Sequence, residues 1–95
     1  MTEVEKTYKQ LKQAGLVQCA EAFSRYYLGK NRNWYAYTKH KGLDYSMSAA
    51  ISCLRSIRSQ QHSAKLSACQ LSTLQRTEHQ LLTYLGTRHG IADVY

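Results

Sequence analysis

Arg32, Asn33, Ala36, Lys39 and His40 fall within nine positions and carry side chains of the kind that read nucleobase edges. A guanidinium forks onto guanine and a carboxamide pairs with adenine, while an ammonium or imidazole reaches bases or phosphates. Alanine at the centre of such a set lets a helix approach a groove closely. Arg25, Lys30, Tyr37 and Lys41 lie around them, three cations and a phenol suited to holding phosphate oxygens. The stretch that holds them all, RYYLGKNRNWYAYTKHKG (25–42), has five Lys or Arg, five aromatics, a histidine and no acid. Placed on a helix over 31–41 at about 100° per residue, it separates in space. Trp34, Tyr35 and Thr38 share one arc, bordered by Tyr37 and Lys41, and Arg32, Asn33, Ala36, Lys39 and His40 share the opposite one.

Other chemistries find less support. The six acids are scattered and form no carboxylate pair for general acid–base work. His89 has an acid four residues on, Asp93. Neither HExxH nor a CxxC pair occurs, and the five glycines stand singly, so no zinc motif or phosphate-cradling loop is present. A Cys–His dyad from Cys19 or Cys53 competes with the plainer expectation that Cys19, Cys53 and Cys69 are small core residues on helices. No enzyme activity, metal or cofactor is expected.

The charge points to the class of partner. Thirteen Lys and Arg against six Asp and Glu leave a formal +7, and between Ala22 and Thr77 nine basic residues face a single acid, Asp44. Such an imbalance suits a polyanion: nucleic acid first, an acidic protein or membrane surface second. The basic segment lacks a clean Leu/Phe face, so membrane association is not expected. Neither a signal-peptide run nor a membrane-length apolar stretch is found, and three scattered cysteines make no disulfide framework. A reducing, cytoplasmic location is expected.

The elements that must position these residues are helices. The chain is long enough for one hydrophobic core, has no proline, and is punctuated by single glycines. Val4, Tyr8 and Leu11 recur at helical spacing up to Gly15. A second helix is expected over Leu16–Leu28, with Leu16, Ala20, Phe23 and Tyr27 on one side and Gly29 supplying the turn. The third helix, 31–41, has Asn31 as candidate N-cap and Gly42 as its stop. Asp44 and Ser46 are candidate N-caps of a fourth, ending near Gln60, with Met47, Ala50, Ile51, Leu54 and Ile57. SQQHSAKLSACQ (59–70) has weak periodicity and stays open between loop and helix. A fifth helix covers about 68–85, broken by Gly86 and Gly90, and 86–95 is expected to be a loosely held tail. Its Leu71, Leu74, Leu81 and Leu85 form a heptad-like stripe, serving either to cover the core or to build a homodimer. The fold class is therefore all-α, a five-helix single domain.

Helix, glycine turn and short helix together resemble a known plan. AFSRYYLGKNRNWYAYTKHKG (22–42) is similar to the scanning helix, turn and recognition helix of small phage- and plasmid-type helix-turn-helix regulators, and the resemblance spans about 16–58. It implies a DNA-binding transcriptional regulator whose recognition helix enters the major groove of double-stranded DNA. Arg32, Asn33, Ala36, Lys39 and His40 would then meet bases, and Arg25, Lys30, Lys41 and Tyr37 phosphates. The family's pattern places a small residue four positions before the turn glycine. Arg25 stands there in this chain, with Ser24 one earlier, which implies a first helix longer by one residue. A second reading gives the same surface to protein: a small basic helical module docking on a host complex, with Tyr26, Tyr37 and Tyr45 as contact anchors.

Overall fold

The computed structural model describes residues 1–88. Five helices follow in order: α1 (Glu3–Gln13), α2 (an α-helical turn Ala20–Ala22 continuing as a π-helix Phe23–Tyr27), α3 (Trp34–His40), α4 (Met47–Gln60) and α5 (Ala68–Arg88). No strand occurs among the described residues, so the architecture is all-α. The expected tail beyond Arg88, including Gly90 and the His89–Asp93 pair, lies outside the described residues.

Short polar side chains set most helix starts. The Thr2 hydroxyl accepts from Glu5 N at 3.3 Å while Glu5 Oε2 accepts from Thr2 N at 3.3 Å, a reciprocal cap on α1. Ser46 caps α4 by accepting from Ala49 N. Asp44, the other candidate there, instead reaches back to α1, where its carboxylate accepts from Glu3 N at 2.9 Å and Val4 N at 3.0 Å. A carboxylate at that helix end satisfies donors with no intrahelical partner and opposes the positive end of the dipole. Ser67 and Gln70 form the same reciprocal pair at the head of α5, so the stretch left open between loop and helix divides: α4 runs to Gln60 and α5 starts at Ala68.

Three of the sequence boundaries move. Leu16 does not open α2. Gly15, with φ of +75°, closes α1 and Leu16 N returns to Leu11 O at 2.9 Å, so residues 16–19 cross to α2 outside any helix. The start of α3 falls at Trp34 rather than residue 31, because Asn31 Oδ1 accepts from Asn33 N and holds the approach as a turn. Gly86 does not break α5, which continues to Arg88; a helix glycine costs only about 1 kcal/mol relative to alanine.

The core is lined by Val4 and Leu11 of α1, Phe23 and Tyr27 of α2, Tyr35 of α3, Ala49, Ala50, Cys53, Leu54 and Ile57 of α4, and Leu74, Leu81 and Leu85 of α5. The α5 stripe is thus mostly inside the chain: Leu74, Leu81 and Leu85 are fully buried and Leu71 half-buried. Met47, at the head of α4, is exposed. Of the cysteines only Cys53 is a core residue; Cys19 and Cys69 are exposed, one before α2 and the other in the first turn of α5. Arg58 Nε donates to Glu78 Oε2 at 2.6 Å and Gln61 Nε2 to Glu78 Oε1 at 2.7 Å, tying α4 to α5 at the one charged position of that stripe.

Candidate nucleic-acid interface

The local structure of α2 explains how α3 is held. Leu28 N bonds to Phe23 O at 3.2 Å, five residues back, so the end of α2 carries one more residue than an α-turn. Ser24, the small residue one place earlier than the usual pattern, is fully buried. Its hydroxyl donates to Ala20 O and accepts from Tyr35 N, both at 3.0 Å, so α2 supplies the partner for a donor in the first turn of α3. Gly29, at φ +65°, then turns the chain, and Lys30 N returns to Ser24 O at 3.0 Å. On the other side, the Ser56 hydroxyl of α4 donates to the Tyr26 carbonyl at 3.1 Å, meeting a group the helix end leaves open. The connection from α2 to α3, residues 28–33, is longer than the three or four residues of a tight helix-turn-helix turn.

Aromatic packing fixes the rotation of α3. Tyr35 is buried, with ring centroids 4.8 Å from Tyr8 and 5.3 Å from Phe23, the latter edge-on. Burial, aided by the Glu5 charge and by Tyr8, pushes its phenol up to about 12. Thr38 is buried one turn on, and Trp34 is half-buried against the core. With these three directed inward, Ala36, Lys39 and His40 stand exposed on the opposite arc of α3, whereas Arg32 and Asn33, expected on the same helix, are exposed in the turn that precedes it; Lys41 and Tyr37 are exposed as well. Gly42, at φ +70°, ends the helix, and Leu43 N closes onto Thr38 O at 2.9 Å.

The surrounding residues sit differently from one another. Lys41 Nζ lies 5.9 Å from the Tyr37 ring centroid and the Arg25 guanidinium 5.7 Å from that of Tyr26, each a cation over an exposed ring. Lys30 is half-buried and donates to Ser48 Oγ at 2.8 Å, which holds its ammonium against the start of α4. Tyr26 is 69% exposed and Tyr37 58%, but Tyr45 is not an available anchor. It is buried, and its hydroxyl faces Cys53 Sγ at 3.6 Å. Burial raises both groups, the thiol to about 12, so Cys53 is a protonated core residue and no nucleophile.

Sequence reasoning passed over one feature of this face. Trp34, assigned to the packed arc, also lines a cleft of about 440 Å³ with Asn31, Arg32, Asn33 and Tyr37. Its position beside the arc border is the one sequence signal that marks it. A larger groove of about 760 Å³ lies between the 15–19 crossing, α2 and α4, with Tyr26, Tyr27 and Arg55 on its walls. Among the described residues no group of three or more His, Cys, Asp or Glu side chains could hold a metal ion, and no helix is long and apolar enough to cross a membrane.

Comparison with curated proteins finds no match, and none is found among solved structures. A family model does match, over residues 4–87, which takes in residues of all five helices. The chain belongs to this family, a family of unknown function (DUF6626).

Proposed function

We propose that the chain binds double-stranded DNA through the outward arc of α3 and acts as a transcriptional regulator. One observation carries the reading: Ala36, Lys39 and His40 stand exposed on α3, with Arg32 and Asn33 exposed in the turn just before it, while Tyr35, Thr38 and part of Trp34 clamp the other side of the same short helix. An α-helix with its side chains is about 10–12 Å across, which a major groove about 12 Å wide admits. Ala36 lies mid-helix, so the backbone can come close while Arg32 and Lys39 reach outward. Arg32 and Asn33 are the base readers, with Lys39 and His40 reaching bases or phosphates. Lys41, Tyr37 and Arg25 hold the backbone, and Lys30 does so only by leaving Ser48. Retention on a mixed duplex library at low salt tests this. Loss of retention on Arg32→Ala and Lys39→Ala, with helicity unchanged, supports it; no retention by the unaltered chain contradicts it.

A second reading, docking on a host protein complex, is favoured by the exposure of Tyr26 beside the larger groove. A pull-down partner that survives Arg32→Ala and Lys39→Ala but is lost on Tyr26→Ala would select it. A homodimer, if formed, needs a face other than the buried leucines of α5; sedimentation at micromolar concentration reads this directly.

A further inference from the structure

The Trp34–Tyr37 cleft offers the chemistry to seat one flat aromatic ring. Its lining residues are Trp34, Tyr37, Arg32, Asn31 and Asn33, with no acidic residue among them. Trp34 is braced against the core, so its ring is set before any ligand arrives. Tyr37, by contrast, stands exposed with Lys41 Nζ 5.9 Å from its centroid. Asn31 Oδ1 is engaged by Asn33 N, which leaves the Asn31 NH₂ as a donor at the cleft. Arg32, at the cleft wall, supplies a cation for the phosphate that any nucleotide brings with it. Aromatic rings beside fixed cations are how proteins seat unpaired bases, because every base has a π-face and every linkage a negative charge.

We propose that this cleft receives one unpaired nucleobase of a bound nucleic acid, stacked on Trp34 and Tyr37, and that in this mode Arg32 meets that base's phosphate instead of a base edge and Tyr37 its ring instead of a phosphate. The inference rests on the nucleic-acid reading of α3 and narrows it, from duplex in general to duplex carrying an unpaired or extruded base. Trp34 is the chain's single tryptophan, so the site contains its own reporter.

The test titrates the full chain with a blunt DNA hairpin whose loop is a non-nucleotide linker and with the same hairpin carrying one unpaired base in its stem, following Trp34 emission. The unpaired-base hairpin is expected to quench the emission and to bind about tenfold tighter, the order that stacking one base contributes. Tyr37→Leu is expected to lose that preference. Equal affinity for the two hairpins, unchanged Trp34 emission at saturation, or a preference that survives Tyr37→Leu overturns the proposal. Binding of the blunt hairpin alone removes this inference and leaves the function proposed above standing; binding of neither at low salt removes both.

Discussion

The hydroxyl of Ser24 accepts the backbone N–H of Tyr35 at 3.0 Å in a fully enclosed position, and this bond joins α2 to the head of α3. The same hydroxyl donates to Ala20 O, so it is satisfied on both counts. Ser24→Ala leaves a buried donor without a partner and is expected to cost about 1–3 kcal/mol. Chemical denaturation measures the loss. Hydrogen exchange localises it, with the Tyr35 amide accelerated more than amides in the middle of α5.

Gly29 and Gly42 both lie at positive φ, yet their surroundings differ. A Cβ on Gly42 meets nothing within 4 Å, whereas one on Gly29 meets Ser52 Oγ at 3.1 Å. Gly42→Ala is therefore expected to cost only the backbone penalty, about 1–2 kcal/mol. Gly29→Ala should cost more. In a Ser52→Ala background the excess should vanish and the backbone share remain, a coupling that a double-mutant cycle measures.

The Arg58–Glu78–Gln61 cluster makes stability depend on acid. The bond from Gln61 is the main cause that holds the Glu78 carboxyl below its ordinary 4.5; burial pushes the other way, and the hydrogen bond and charge of Arg58 add smaller lowering effects. A lowered folded-state value means this contribution is full above about 4.5 and is lost as pH falls through the folded value. Partly exposed as the pair is, Glu78→Gln is expected to remove about 1 kcal/mol near neutrality. It should also flatten the decline below pH 4.5, as read by denaturation midpoints across pH.

Tyrosines respond at the other extreme. Burial raises Tyr27, Tyr35 and Tyr45 above the ordinary 10.0, with Tyr35 at about 12. Groups whose folded values are raised contribute stability that is whole below 10 and drains as pH climbs toward 12. Tyrosinate absorbance should therefore show the phenols of Tyr27, Tyr35 and Tyr45 ionising only above the ordinary 10.0 or with unfolding, and the alkaline midpoint of unfolding should fall in that upper range.

Much of this fold is written in local pattern. Val4 and Leu11, then Leu54 and Ile57, then Leu74, Leu81 and Leu85 recur at helical spacing and are core residues. The inward rings and outward cations of α3 follow from a helical wheel alone. What the pattern hides is decided by contacts distant in sequence. Leu16 and Val17 extend the apolar rhythm of α2 but pack from a non-helical crossing, because Gly15 has already turned the chain. Asp44 looks like a cap for the helix that follows it and caps α1, some 40 residues earlier. Tyr45 looks like a surface tyrosine and is enclosed by Cys53 and Tyr84. One boundary was available in the sequence: Ser67-Ala68-Cys69-Gln70 carries the Ser-x-x-Gln signature of a capped helix start, which the weak apolar rhythm around it masks.

The central claim, that the open arc of α3 binds nucleic acid through its cations, is tested most directly by affinity for a DNA duplex measured across a salt series. The account predicts that log K falls linearly with log salt, and that Arg32→Ala and Lys39→Ala each weaken binding; a variant that removes a phosphate contact should also lower the slope by about one. Undetectable binding at low salt, or affinity and slope indifferent to both substitutions, would contradict it.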